Sequence, residues 1–237
     1  MRKDEAHGSP SEHEPFPSSQ SSENGSRPRK EKRGVRLLAE LVRFNFGKLV
    51  LLNMIFVVAC LPLVTLPCAL AGMSRVLGLI IERRPFFIFY DFRTAFVSEW
   101  KRASAAGWSV IGLVALAVAA YVMYLRGGVP GGSLLAGVCV ILVVFFVAVG
   151  SYVFPLVVRT DLGVKDVLKN SLLLVQLRLP YTVLSLLLSL AILLVCFAFL
   201  PFTALLLPLI GFSLIGLVQV YNAMEGITQY VARKEGE

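Results

Sequence analysis

Histidine is nearly absent from this chain: the 237 residues include only His7 and His13. Imidazole is the usual general acid and base of enzymes and the commonest metal ligand. The nucleotide-binding and hydrolase patterns G-x-x-x-x-G-K-[ST], G-x-S-x-G and H-E-x-x-H are also missing. Four cysteines lie in apolar segments without C-x-x-C or metal spacing. We therefore expect no enzymatic activity, no catalytic residues, no cofactor and no metal site.

Charge is scarce as well, with 16% charged residues against 57% hydrophobic ones and a mean hydropathy of +0.75. Globular proteins carry about 25% charged residues, so this composition indicates an integral membrane protein. Ranges 106–125, 134–158 and 180–219 contain no Asp, Glu, Lys or Arg. Proton pumps and carriers of charged substrates usually keep an ionisable group at membrane depth, which argues against both functions.

Arg75 is the one ionisable residue that falls inside a predicted membrane-embedded arm. Its guanidinium is expected either to reach the nearby interface along its aliphatic stem or to contact an anion or partner. Milder polar residues of the spans include Asn53, Ser109, Ser151, Ser185, Ser189 and Gln219. They could line a path for a neutral, hydroxyl-rich solute, or they could hydrogen-bond between helices.

Apolar residues are almost missing from the segment 1–34, which is rich in Ser, Glu, Pro and Gly. Such a segment cannot bury enough surface to order itself, so we predict a disordered N-terminal tail. Its basic end, Arg27 to Arg33, is expected to meet anionic lipid headgroups and to set orientation; no nucleic-acid partner is expected. Range 35–225 is predicted to be a single integral membrane domain, and 226–237 a short cytoplasmic tail.

The stretch CLPLVTLPCALAG, residues 60–72, interrupts the first apolar run with Pro62 and Pro67. If the chain crossed the membrane only once here, the basic residues of 75–102 and 159–178 would lie outside, against the positive-inside rule. If it reverses at Pro62 to Pro67, both loops and both termini become cytoplasmic and Arg126 alone stays outside. We therefore predict a hairpin in a multi-pass protein of the inner or plasma membrane.

Thr65 is predicted to cap the second arm of this hairpin through its hydroxyl, with Pro67 in the first helical turn. That helix is expected from Leu66 to about Glu82. At 1.5 Å per residue the two arms measure about 25 and 21 Å, less than the roughly 30 Å of a hydrocarbon core. The hairpin can therefore be spanning or re-entrant, and the sequence leaves that choice open.

Three helix-hairpin units follow from the same reasoning, at about 35–82, 83–158 and 159–223. Each begins with a basic amphipathic stretch, in 35–47, 86–103 and 162–172, and Asp161 is placed to cap the third. The predicted fold is an all-α membrane protein, a bundle of about five to six membrane-embedded segments in three hairpins with amphipathic cytoplasmic interface helices. A second break, Phe199 to Thr203, echoes the first.

Residues 51–73, 89–103 and 152–174 resemble the YesL-like family of bacterial multi-pass membrane proteins. The shared features are an Asn in the first span, an L-P-x-x-T-x-P break, an aromatic F-x-x-x-F segment and an F-P-L…D-L…K-N-[AS] segment, in that order. The likeness covers about 40–225. It implies a small inner-membrane protein of unknown biochemical activity in a carbohydrate-utilisation context. Candidate interaction positions are the motif residues and neighbouring polar residues Asn53, Pro62, Thr65, Pro67, Arg75, Asp161 and Asn170.

The sequence favours two functions, and a membrane-bound enzyme ranks third because no catalytic set is recognisable. The first is a non-enzymatic accessory component of carbohydrate uptake or utilisation, whose partners would be the lipid bilayer and a sugar transporter or sensor protein. The alternative is the permease subunit of an ABC-type sugar importer. Asp161 to Gly163, Val167 and Leu177 to Pro180 fall in the register of the permease loop that docks an ATPase, although Val167 replaces its glycine and both alanines are replaced.

Overall fold

The computed structural model of the protein describes residues 34–127, 131–198 and 210–230. These residues form eight α-helices and one short 3-10 turn, Leu63–Thr65, and they contain no strand. The helices are α1 Val35–Ala59, α2 Leu66–Ile81, α3 Ile88–Ser98, α4 Trp100–Arg126, α5 Gly132–Arg159, α6 Val164–Leu177, α7 Leu179–Ala198 and α8 Phe212–Tyr230. The predicted all-α class is confirmed.

Five helical segments are long and apolar enough to cross a membrane: Arg36–Ala59, Leu63–Ile81, Trp100–Arg126, Gly132–Arg159 and Leu179–Cys196. The protein is therefore a multi-pass, all-α membrane protein. Helix α8 is more polar, since it carries Gln219, Asn222 and Glu225. It packs against α1, α2, α5 and α7.

Residues 60–65 reverse the chain, as the charge pattern predicts. The proof is an ion pair 3.6 Å long between Arg83 Nη2, just after α2, and Glu40 Oε1, near the beginning of α1. Similar contacts join Glu82 to Arg159 and Arg178 to Glu225. We call this side of the bundle, with residues 34–44, 82–102, 159–178 and 225, the basic end. Helices α3 and α6 lie there, and Arg126 lies at the opposite end of α4.

Thr65 does not cap α2 as expected. Its hydroxyl makes no capping hydrogen bond to the helix and instead lies 2.6 Å from the carbonyl oxygens of both Ala59 and Pro62. A hydroxyl has one proton, so it donates to these two carbonyls in alternation or shares the proton between them. Thr65 thus closes the end of α1 and the reversal loop, while Pro67 sits in the first turn of α2 as predicted.

The first amphipathic stretch is continuous with the ascending arm in α1 and is set apart from it by a kink. Asn45 has non-helical backbone angles, φ −115° and ψ 19°. Its side-chain Nδ2 donates to the Leu41 carbonyl oxygen at 3.1 Å, so a side chain enters the main-chain hydrogen-bond ladder there. The predicted boundary near Gly47 corresponds to this kink.

The second amphipathic stretch divides into two helices, because α3 ends at Ser98 and Trp100 begins α4. Only part of the apolar side of this stretch is buried. Phe92, Ala95 and Ala103 are buried and Phe96 is half-buried, whereas Phe89 and Trp100 are exposed. Packing of α3 onto α2 buries Phe92, and the Phe96 ring stacks on it.

Asp161 does not cap α6. The helix begins at Val164, its N-cap is Gly163 in an extended conformation, and no side chain caps it. Asp161 lies two residues earlier and is exposed. The backbone is extended at both Thr160 and Gly163, so Gly163 takes the N-cap position and Asp161 lies before it.

Several sequence predictions lie outside the described residues. They are the disordered tail up to residue 33 with His7 and His13, the second break at Phe199 to Thr203, and the chain after Tyr230. Within the described part, α8 continues as helix through the first residues of the predicted tail, 226–230.

Helices α2 and α4 approach each other closely at Gly107. A Cβ atom added to Gly107 would lie 2.6 Å from Pro67 Cβ and 3.2 Å from Phe154 Cε1. Gly72 on the other side of α2 is similarly close to the ring of Phe92. Small residues thus let α2 lie between α3 and α4 with little space between the backbones.

Candidate functional site

The basic end of the bundle is held by charged side chains, and Glu82 is at its centre. Its carboxylate contacts the guanidinium of Arg159 on α5 and lies 3.4 Å from Arg84 Nε. The chain turns sharply here because Arg83 adopts a left-handed conformation with φ 55°. Arg83 N donates to the Ile80 carbonyl and Arg84 N to the Leu79 carbonyl, the Schellman pattern that normally uses glycine.

A cavity of about 320 Å³ opens beside these groups, between α2 and α5. Its charged lining consists of Arg75, Arg84, Arg159 and Glu82. Its remaining wall contains mainly small and apolar residues: Ser74, Gly78, Leu79, Pro155, Val158 and Val220. The cavity is therefore amphipathic, with three guanidinium groups against one carboxylate.

A second cavity, of about 420 Å³, lies on the other side of the same turn and shares Arg84. It is lined by Glu40, Lys48 and Arg83 together with Phe44 and Phe86, among others. Lys48 Nζ lies 4.6 Å from the centre of the Phe86 ring, a cation–π distance. Both cavities therefore carry an excess of positive charge at the end of α2.

Arg102 fixes the connection between α5 and α6. Its Nη2 donates to the carbonyl oxygens of Thr160 and Leu162, and its Nη1 bonds Glu99 Oε2 at 2.8 Å. Because α4 carries Arg102, the α5–α6 connection is held against the beginning of α4. The basic residues at this end thus act partly as structural links between consecutive helices.

Arg178, between α6 and α7, is the most deeply buried cation of the described chain, at 3% exposure. Its Nη1 donates to the Asn222 carbonyl oxygen at 2.9 Å, and its Nη2 pairs with Glu225 Oε2 at 2.8 Å. The Tyr221 hydroxyl donates to the other oxygen of Glu225 and accepts from the Gly34 N–H. This cluster connects the beginning of α1, the α6–α7 junction and α8.

Polar side chains continue from Arg178 into the bundle between α5, α7 and α8. The Thr182 hydroxyl donates to the Arg178 carbonyl, and the Tyr152 hydroxyl, 2.7 Å away, then donates to Thr182. Asn222 Nδ2 donates to the Tyr152 hydroxyl at 2.9 Å and lies 3.3 Å from Ser185 Oγ. Each of these buried groups has a partner from a neighbouring helix.

Gln219 extends this network further along α7, away from Arg178. Its Nε2 donates to Ser189 Oγ at 2.9 Å, and its Oε1 lies 3.4 Å from Ser185 Oγ. Ser189 in turn donates to the Ser185 carbonyl. Ser185, Ser189 and Gln219, for which the sequence allowed either a solute path or interhelical hydrogen bonds, therefore make interhelical hydrogen bonds. Ser109 and Ser151 instead donate to carbonyl oxygens of their own helices, at Ala105 and Ala148.

Asn53 has a comparable role in another part of the bundle. It is fully buried in α1, and its Oδ1 accepts the backbone N–H of Ser213 at 3.1 Å. Ser213 is in the first turn of α8, where backbone N–H groups lack helical partners. Asn53 therefore caps α8 from a neighbouring helix.

The seven predicted interaction positions do not form one site. Pro62, Thr65 and Pro67 belong to the reversal, and Asn53 meets α8 inside the bundle. Asp161 and Asn170 lie near α6 at the basic end, and Arg75 lines the cavity beside α2. Only Arg75 is part of the cavity.

Sequence reasoning missed most of the residues that assemble at the basic end, notably Glu82, Arg159, Arg178, Asn222 and Glu225. The basic loops were counted for orientation, and that count is the only signal that pointed to this region. Which arginine meets which carboxylate depends on the packing of helices far apart in the chain, and no local pattern encodes it.

The region that contains the reversal, the Arg75 arm and most of α4 can be compared with known families. A family model described as a protein of unknown function, DUF624, matches residues 49–121. The DUF624 match includes Asn53, Pro62, Thr65, Pro67 and Arg75, and it ends before Asp161 and Asn170. It includes the whole of the first two stretches that carry the sequence resemblance, 51–73 and 89–103. No curated protein and no solved structure matches the chain.

Proposed function

We propose that this membrane-spanning protein is a non-enzymatic accessory component of carbohydrate uptake or utilisation. The observation that carries the proposal is the closed polar network between α5, α7 and α8. Tyr152, Thr182, Ser185, Gln219 and Asn222 bond one another, an arrangement that favours helix packing over conduction of a solute. The carbohydrate context rests on the resemblance to YesL-like proteins.

The outer side of α6 is the surface we propose for a partner, a sugar transporter or sensor protein. The helix buries Val167, Leu174 and Val175 and exposes Lys165, Lys169, Leu172 and Leu173. A mixed apolar and basic surface of this kind suits docking to another membrane protein. The permease alternative is less well supported because Val167, at the register of the docking-loop glycine, is 0% exposed.

A photo-crosslinking side chain at Leu173 tests this surface, with Leu113 as matched control. The two leucines are exposed to nearly the same extent, 44% and 43%, but Leu113 lies within the long helix α4. In native membranes we expect Leu173 to crosslink a sugar transporter or sensor protein, identified by mass spectrometry, and Leu113 to crosslink none. Equal products from both positions would contradict the proposed surface.

Two results would favour other functions. If the Leu173 product is an ATPase subunit, the permease alternative replaces the accessory function. If the purified chain alone, reconstituted in vesicles, passes a labelled oligosaccharide, the protein is itself a transporter and the accessory proposal fails.

We further propose that the basic end faces the cytoplasm of a bacterial cell, with the protein in the inner or plasma membrane and both termini inside. The positive-inside rule supports this orientation, since Arg126 alone marks the other end. Cysteines introduced at Ser98 and Asp166, both exposed at the basic end, should not react with an impermeant maleimide added to intact cells. A cysteine at Ser133, exposed at the opposite end, should react.

Cys68, Cys139 and Cys196 are buried, whereas Cys60 is half-buried at the reversal, on the side from which the reagent is added. Burial raises the pKa of the Cys60 thiol above its ordinary value, which slows its reaction but does not prevent it. The measurement is therefore made with Cys60→Ser as the background. Labelling of both Ser98→Cys and Asp166→Cys from outside would contradict the proposed orientation.

A further inference from the structure

We infer that the cavity between α2 and α5 at the basic end binds a phosphate group carried by an anionic membrane phospholipid. Arg75, Arg84 and Arg159 supply three guanidinium groups to a cavity of about 320 Å³. Guanidinium groups match phosphate oxygens in bidentate geometry and remain charged at any physiological pH.

Positive charge in this cavity is only partly neutralised. Glu82 pairs with both Arg159 and Arg84, so one carboxylate serves two cations. Among residues 34–127, 131–198 and 210–230, no carboxylate pairs with Arg75, which also lines the cavity. The Glu82 carboxylate neutralises one of the three guanidinium charges. The cavity therefore keeps a net positive charge, which a bound anion would neutralise.

The position of the cavity favours a lipid as the source of the phosphate. Arg75 lies about two helical turns before the end of α2; Leu79, one turn further along α2, and Pro155 and Val158, just before Arg159, line the cavity beside the arginines. A phospholipid presents a phosphate with apolar atoms next to it, which suits this mixed lining. Basic pockets between membrane helices are known to hold such headgroups.

The wall of the cavity at Gly78 leaves space for about one methyl group. A Cβ atom built there would lie 4.0 Å from Arg159 Nε and 3.8 Å from Met224 Sδ, ordinary van der Waals contact. The close helix approaches at Gly107 and Gly72 leave no such space. Packing is therefore looser beside Arg159 than at those two approaches.

Binding can be measured on the full chain in a neutral detergent, by the rise in thermal midpoint as phosphatidylglycerol or phosphatidylcholine is added. We expect phosphatidylglycerol to stabilise the protein and phosphatidylcholine to have much less effect. Arg75→Gln should weaken apparent binding of phosphatidylglycerol roughly tenfold, since one charge-assisted contact is lost without breaking an internal ion pair. Arg93→Gln, an exposed residue of α3 at the same end, is the control and should change it little.

Glu82→Gln distinguishes a lost site from a damaged fold, because it should increase affinity. Removing the carboxylate frees Arg84 and Arg159 for phosphate, and a variant that merely folds badly would bind less. Glu99→Gln, which releases Arg102 away from the cavity, should produce no such gain.

Three results would overturn the inference. Equal weakening by Arg75→Gln and Arg93→Gln would mean that lipid is held only by general surface charge. Equal stabilisation by both lipids would remove the need for an anion. If millimolar inorganic phosphate raised the thermal midpoint as much as phosphatidylglycerol does, the site would be assigned to a soluble phosphate instead of a lipid.

Discussion

Gly107→Ala is expected to lower the free energy of unfolding by about 1–3 kcal/mol, the usual cost of forcing extra volume into a packed interior. The new methyl group would lie 2.6 Å from Pro67 Cβ, well inside van der Waals contact. A proline ring next to the main chain cannot rotate away, so α2 and α4 must separate. Thermal or denaturant unfolding of the detergent-solubilised protein measures the change.

Gly112→Ala in the same helix is the matched control. Nothing lies within 4 Å of a Cβ atom at that position, and the residue is exposed. Alanine is a better helix former than glycine by up to about 1 kcal/mol, so this variant should be neutral or slightly stabilised. Equal destabilisation of the two variants would show that the close approach of α2 to α4 has no energetic importance.

The collision with Pro67 can be isolated by a double-mutant cycle. Pro67→Gly removes the Cβ atom that Gly107→Ala would meet, so the double variant should lose less stability than the sum of the single variants. Strict additivity would contradict a direct contact between these two residues.

The fold was predictable as far as charge and hydropathy reach. Reversal at 60–65 follows from the distribution of arginines, because one misplaced turn would put two basic loops outside. The end of α2 near Glu82 follows from the return of charge. These are one-dimensional signals, and the ion pair between Arg83 and Glu40 confirms what they indicate.

Hydrogen-bond roles were not predictable in the same way. Thr65 was expected to cap α2, but its hydroxyl donates to the carbonyl oxygens of Ala59 and Pro62, which precede it in the chain. The path of the loop determines this partner. Asn53 was a candidate from its motif, but its partner Ser213 lies 160 residues away. The cavity combines Arg75 and Arg159 in the same way, since helices distant in the chain bring them together.

Glu225→Met is expected to destabilise the protein more than any other single change at the basic end, by about 3–5 kcal/mol. It leaves the Arg178 guanidinium, with only 4% of its side chain exposed, without its carboxylate. Arg178→Met should cost less, because the Glu225 side chain is 37% exposed and water can solvate it. Unfolding of each variant in the same detergent gives the comparison.

The double variant Arg178→Met/Glu225→Met is the decisive measurement. If the cost of Glu225→Met comes from a buried unpaired charge, removing that charge as well should recover part of the lost stability. Arg93→Met, an exposed arginine of α3, should change stability by no more than about 0.5 kcal/mol. A double variant less stable than Glu225→Met alone would mean that Arg178 acts mainly through its bond to the Asn222 carbonyl and its contact with the Tyr181 ring.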